Sequence, residues 1–461
     1  MTTYIARRLN DPTMIRPGHE QASTLFSAGG LALLFFLLLP AEGVLRKWLF
    51  VNFESIIGFV RDPVLLLIYI SYFSRLRRVP VWLRLYIFFG GALTVYALTI
   101  SLIGNIHPAV TFLGLRGYVL YVPLAFILAE VWTHADFRRF IVVCLWISIP
   151  IALLVFIQFS SPVAHWINKG TSDDMEGRFT VAFGIVRPYG PFTFAQAQNT
   201  FAAMMTALWL VAWEKRRAFS LPLPLLWAGG FATLTMGALS GGRTFFGGAI
   251  LIGLAYVVAG LSSRDARQGV TRLTRIVLAT LAFLFVFIVV FPRSFDAMSS
   301  RQAAAVSHEG STLGRILSWF TDILEPMQTA PFFGHGLGAG SNAALRLSGE
   351  SSFMYGETEW GRIINEAGPL VGLLVILARI GFTVWMGWYC LAVNRRTGDG
   401  TPLILFGFCS YLTLIAQTTG QNQLLSFCWF SVGLTLCLGR LAEMRLRPRP
   451  SCAKSQKGQR P

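Results

Sequence analysis

RRFIVVCLWISIPIALLVFIQF, residues 138–159, is an apolar run of 22 residues with two arginines at its start. A helix of that length rises about 30 Å, the thickness of the hydrocarbon core of a bilayer. It shows no polar face of the kind a soluble surface helix needs. Reading outward in windows of about twenty residues, similar runs recur near 23–41, 57–74, 82–103, 111–132, 192–213, 221–239, 244–261, 275–292, 363–391, 402–419 and 424–440. Arg61, Asp62 and Pro63 interrupt the second run, and Pro222 and Pro224 open the seventh. Composition agrees with a membrane chain: 54% of the 461 residues are hydrophobic and 13% charged, where a soluble chain carries about twice that charged fraction. The expected fold class is an all-α polytopic membrane protein with about 12 transmembrane helices and a large, partly helical extracytoplasmic loop between helices nine and ten.

The basic residues orient this arrangement, because Lys and Arg gather in cytoplasmic connections. With the N-terminus inside, every inner connection is basic: Arg7, Arg8 and Arg16; Arg75, Arg77, Arg78 and Arg84; Arg138 and Arg139; Lys215, Arg216 and Arg217; Arg264, Arg267, Arg272 and Arg275; Arg395 and Arg396; and the tail from Arg440. The organisation expected is a cytoplasmic N-terminal segment (1–22), helices one to nine (23–292), an extracytoplasmic loop (293–362), helices ten to twelve (363–440) and a basic cytoplasmic tail (441–461). Arg46 and Lys47 fall in the first outer connection and are expected at the interface beside Trp48. Polar residues precede the first apolar run, so it reads as a retained helix rather than a cleaved signal peptide. The tail, proline-bearing and poor in apolar residues, reads as disordered against the anionic inner leaflet.

A formal net charge of +17 could suggest nucleic acid, but its placement in inner connections points to membrane lipids as the partner. Of six cysteines, Cys144, Cys390, Cys409, Cys428 and Cys437 lie in apolar runs and Cys452 in the tail, without a CxxC pair. They read as small packing residues; neither a disulfide framework nor a metal site is expected.

Chemistry-bearing residues concentrate in 293–362, which holds seven of the 22 acids, with His308 and His335. Leu313, Ile316, Leu317, Phe320 and Leu324 form a helical stripe over 311–325, with Ser311 as cap and Pro326 after its end. Arg315, Trp319 and Asp322 take the opposite face, an arrangement that also suits a helix resting on the interface. Next comes PFFGHGLGAG from Pro331. It lacks the preceding strand and following helix of a nucleotide fingerprint, so its four glycines read as a tight, close-packed turn. In GETEWGRIINEAGPLVGLL from Gly356, Glu359, Arg362 and Glu366 share one helix face, which would equally serve a structural ion-pair cluster. Arg243 in LSGGRTFFGG and Arg116 in LGLRGYVLY sit near outer helix ends, where snorkelling is the plainer reading. Arg379 lies mid-helix, where a charge is costly and points to function.

These residues resemble the O-antigen ligase and O-antigen polymerase superfamily of bacterial envelope glycosyltransferases. The likeness lies in the helix layout, in the loop order from Arg315 and Trp319 through PFFGHGLGAG to Asn365-Glu366-Ala367-Gly368, and in RPYGPFTFAQAQNTFAA from Arg187. It covers most of the chain, and residues 311–372 carry its sharper part. Many members carry His-Asn nine residues before the motif glutamate; here that place holds Glu357 and Thr358. The departure favours the polymerase side over the ligase side.

The resemblance implies an inverting, metal-independent glycosyl transfer on the outer face of the bacterial inner membrane, with no cofactor. Donor and acceptor would be undecaprenyl-diphosphate-linked oligosaccharides, joined into envelope polysaccharide or exopolysaccharide alongside other polysaccharide assembly proteins. Such a site needs guanidinium groups for the departing diphosphate and a base for the acceptor hydroxyl. Glu357 or His335 would be the base. Arg243, Arg315, Arg116, Arg187, Arg362 and Arg379, with Glu359 and Glu366, would bind diphosphate and glycan. A ligase using another acceptor stays open. A secondary transporter or a lipid-linked glycan flippase also fits twelve helices, but neither requires a 70-residue acidic loop.

Overall fold

A computed structural model describes residue 24 and residues 26–171, 186–262, 266–296, 299–300, 320–341 and 358–446. The expected N-terminal segment, Arg315, Glu357, most of the helix near 311–325 and the tail from residue 447 lie outside the described residues. Among those described there is no β-strand, and twelve principal helices pack together. They are α1 (Ala28–Leu49), α2 (Val51–Phe73), α3 (Val81–Ile103), α4 (Pro108–Val131), α5 (His134–Ser160), α6 (Ala195–Glu214), α7 (Leu223–Ala238), α8 (Arg243–Leu261), α9 (Gly269–Val290), α10 (Glu359–Thr397), α11 (Thr401–Leu414) and α12 (Asn422–Met444). All but α6, α7 and α11 are long and apolar enough to cross a membrane. The architecture is that of an all-α polytopic membrane protein.

The core centres on α12, buried over 89% of its apolar window and packed on α4, α11, α10 and α6. Phe35, Phe36, Tyr121, Trp132, Phe140 and Phe430 interlock around it with ring centroids 4.9–6.4 Å apart. Small residues bring helices together where bulk would part them: a Cβ at Gly407 of α11 would lie 2.8 Å from Leu251 O of α8, the kind of close approach that drives helix association in lipid. In contrast, α3 and α9 are buried over only 11% and 6% of their windows. Their exposed Phe88, Phe89, Leu102, Leu278 and Leu281 make a surface that belongs in hydrocarbon. The five described cysteines are buried in these helices.

Several boundaries differ from the sequence reading, each for a physical reason. The helix after Phe320 is Leu324–Thr329, with Pro326 inside its first turn instead of after its end; the missing N–H costs nothing there. Helix α10 begins at Glu359 rather than 363 and bends at Gly368-Pro369, where Gly368 has φ 76°. Helix α11 ends at Leu414, five residues short of expectation. Arg61 and Asp62 do not break the second span but start its longest segment, Arg61–Phe73. Arg46 and Lys47, expected beside Trp48, lie inside the protein. Both are buried: Arg46 pairs with Glu42, and Lys47 donates to Gly190 O at 2.6 Å while lying over the Trp48 ring.

Candidate functional site

The bend in α10 organises the end of the bundle where that helix begins. Pro369 has no N–H for the carbonyl of Asn365, four residues earlier, and the bend strands the Glu366 carbonyl as well. The glycine run takes both: His335 N donates to Asn365 O at 2.8 Å, and Gly336 N donates to Glu366 O at 3.0 Å. Tyr96 of α3 ties the two segments, its hydroxyl donating to Phe333 O at 2.9 Å and Ala367 O at 2.8 Å. Gly338, at φ 87°, lies against α4 so closely that a Cβ would run into Val110 O and the backbone of Gly114. The tight, close-packed turn expected from these glycines is present. Glu366, 2% exposed, braces it, accepting from Gly340 N and from the Tyr118 hydroxyl, each at 2.8 Å.

Arg379 solves a different problem. Its Nη1 pairs with Glu359 Oε1 at 2.6 Å, while Nε and Nη2 donate to Thr413 O and Leu412 O at 2.9 and 3.3 Å. Those carbonyls belong to the last turn of α11, where no helical donor follows. A cation is also favoured at a helix C-terminus. Glu359, 1% exposed, accepts further bonds from Thr418 Oγ1, Thr419 N and Thr419 Oγ1 at 3.0–3.1 Å. The chain thus leaves α11 early because Arg379 and Glu359 hold residues 412–419 in a turn. This commitment leaves little of the Arg379 fork for a ligand.

Three other arginines meet a polar wall at the same end. Arg187 Nη2 donates to Asn199 Oδ1 at 2.9 Å, and Asn199 donates to Ser240 O at 3.2 Å. Gly242, just before Arg243, closes against both side chains; a Cβ there would strike them. Arg243 opens α8, and the next residue, Thr244, reaches Tyr411, which also meets Gln196. Gln421 bridges Gln196 and Gln417, donating at 3.3 and 2.9 Å. Its neighbour Gly420 lies against the Arg362 guanidinium, where a Cβ would fall on Nη1. Arg362 is 6% exposed, and its Nε has no hydrogen-bond partner among the described residues. Neither do the buried atoms Gln421 Oε1, Gln198 Oε1 and Asn365 Oδ1. Buried polar atoms of this sort are normally satisfied, so the wall has hydrogen-bonding capacity to spare.

Sequence reasoning overlooked the wall's core, Gln417-Thr418-Thr419-Gly420-Gln421-Asn422-Gln423. A window extended to 419 hides the signal, which is seven residues without an apolar side chain, 417–423, running into the first turn of an apolar helix.

The remaining expected residues are dispersed. Arg116, 1% exposed, lies at a wide turn of α4 and makes a two-point contact with Asp62 at 2.7 and 2.9 Å; the Tyr121 hydroxyl also binds Asp62 at 2.6 Å. The guanidinium is an internal ion pair, not a snorkelling group at an outer surface. The His335 ring is exposed. Glu359, Arg362 and Glu366 share a buried helix face; Glu359 pairs with Arg379, and the Arg362 charge bears on Glu366. Comparison with family models, curated proteins and solved structures finds no match for this chain.

Proposed function

We propose that this chain is a polymerase that joins undecaprenyl-diphosphate-linked oligosaccharide units on the outer face of the bacterial inner membrane. The supporting observation is the polar wall of Gln196, Gln417 and Gln421, with Arg362 packed on its Gly420, Arg187 held at Asn199 of the same helix as Gln196, and Arg243 opening α8 beside Gly242. Guanidinium forks suit a diphosphate, and amide groups suit the hydroxyls of a glycan. The opposite end of the helices carries Lys215, Arg216, Arg217, Arg395, Arg396 and Arg445, so the positive-inside rule favours the wall facing out. Twelve spans with both termini cytoplasmic follow from the same alternation.

In this reading the acceptor hydroxyl gives its proton to Glu357 or His335. Its oxygen attacks the anomeric carbon from the side opposite the lipid diphosphate. The carbon–oxygen bond to the diphosphate breaks, the electron pair leaves with it, and the configuration inverts. Arginine neutralises the charge that develops on the leaving group. The chemistry asks for no cofactor, and partners are the lipid-linked glycan, surrounding lipids and other assembly proteins.

A flippase is the second reading. It is favoured by the buried charges of α1, α2 and α4, where Arg61 pairs with Glu42 at 2.6 Å beside Arg116 and Asp62; intramembrane ionisable groups often mark a transport path. Reconstitution of the purified protein with lipid-linked oligosaccharide separates the two. A polymerase lengthens the glycan and releases lipid diphosphate, whereas a flippase moves the glycan unchanged. A ligase differs only in needing another acceptor to form product.

A further inference from the structure

At the other end of the bundle, the tips of α6, α9, α10, α11 and α12 surround a cavity of about 360 Å³, open on one side and lined by Glu214, Lys215, Arg272, Asp399, Gly400 and Arg445. Its two carboxylates already have partners. Asp399 pairs with Lys215 and accepts from Thr401 N and Oγ1 at 3.2 and 2.7 Å. Glu214 accepts from Arg272 Nη2, Arg275 Nη1 and the Tyr256 hydroxyl at 3.3, 3.0 and 2.7 Å. The lining therefore sets two carboxylates against three cations, Lys215, Arg272 and, exposed at the rim, Arg445, while Arg275 bonds Glu214 from outside it. Arg272 is 6% exposed, and its Nη1 is buried without a hydrogen-bond partner among the described residues. Gly400 admits that nitrogen, since a Cβ there would lie 3.0 Å from Nη1 and 2.8 Å from Ala259 Cβ.

A buried guanidinium N–H without an acceptor is costly, and a surplus of positive charge around it rules against a divalent cation as the missing partner. We propose that this cavity binds a phosphate group, carried by a soluble phosphate ester or by a lipid headgroup. Arg272 grips it from the floor and Arg445 from the rim. The site is separate from the polar wall at the far end and does not depend on the glycan reading.

The test uses the full chain in phosphatidylcholine nanodiscs, titrated calorimetrically with inorganic phosphate in chloride buffer. Saturable binding is expected, weakened about tenfold or more by Arg272→Lys, which keeps the charge beside Glu214 but loses the fork. Arg445→Gln, at an exposed position, is expected to weaken it similarly. Absence of saturable binding, or wild-type affinity in both variants, overturns the proposal. Phosphatidic acid in the nanodiscs identifies the source: competition with inorganic phosphate assigns a lipid headgroup, and saturable phosphate binding without competition assigns a soluble ester.

Discussion

A guanidinium near the middle of a 39-residue helix has to find partners inside the protein, and Arg379 finds Glu359 and the last carbonyls of α11. Arg379→Gln strands a buried carboxylate, so a loss of about 3–5 kcal/mol of stability is expected. The double variant Arg379→Gln/Glu359→Gln is expected to recover part of that loss, because no unpaired charge remains. Thermal inactivation of the purified protein measures both; a double variant no better than the single shows that charge pairing is not what holds the turn. Gly338 makes a steric claim. With φ 87° and Val110 O directly against it, Gly338→Ala is expected to cost at least about 2 kcal/mol. An unchanged midpoint contradicts the packing described. At the polar wall, Arg243→Lys and Arg362→Lys are expected to shorten polymer and lower its yield with the protein still in the membrane, since a point charge cannot reproduce the planar fork. Arg315→Lys extends the same test to a residue outside the described segments. Normal chain length and yield in all three would remove arginine from the mechanism. The base is tested by Glu357→Gln, expected to abolish polymer, against His335→Ala, expected to leave partial activity. The reverse pattern moves that role to His335.

Helices were legible in the sequence because long apolar runs declare themselves, and each of the twelve runs corresponds to a helix; among the described residues nine of these are long and apolar enough to cross a membrane. What those runs cannot carry is the identity of a distant partner. Arg116 and Asp62 stand 54 residues apart, so periodicity along either span says nothing of their pairing. Arg116 therefore read as an outer-end arginine when it is an internal one. The early end of α11 was hidden in the same way, because Arg379 and Glu359 impose it from another helix. Gly338 was readable as a turn glycine, but the Asn365 carbonyl freed by Pro369, which the glycine run satisfies, emerges only from the folded pair. At the opposite ends of α10 and α11, Asp399 offers an electrostatic test. Burial alone would raise its pKa, but Lys215 and the Thr401 hydrogen bonds outweigh it and hold the carboxyl below its usual 3.8. A depressed pKa contributes stability that is complete above the free-carboxyl value and is lost as pH falls through the lower folded value. Wild-type protein is therefore expected to lose stability below about pH 4 more steeply than Asp399→Asn. Parallel acid titrations of the two proteins contradict the pairing.

For the whole molecule, apolar helices with nearly unburied members such as α3 and α9 call for lipid around them, and the proposed orientation, with both termini cytoplasmic, rests on the basic connections. A reporter fused after Arg396 or at the C-terminus is expected to behave as cytoplasmic, and one placed within 326–350 as extracytoplasmic. Phosphatase activity from the C-terminal fusion contradicts the twelve-span arrangement. Glycan polymerisation is tested most directly with the purified protein in proteoliposomes, given a single defined undecaprenyl-diphosphate-linked oligosaccharide and no other protein. The measurement is the length distribution of the lipid-linked glycan, followed with the release of undecaprenyl diphosphate. A polymerase gives a ladder of multiples of the starting unit, with one lipid diphosphate released for each new linkage. Glycan that crosses the bilayer without lengthening, or that stays unaltered on its lipid while the protein remains folded, contradicts the proposed function.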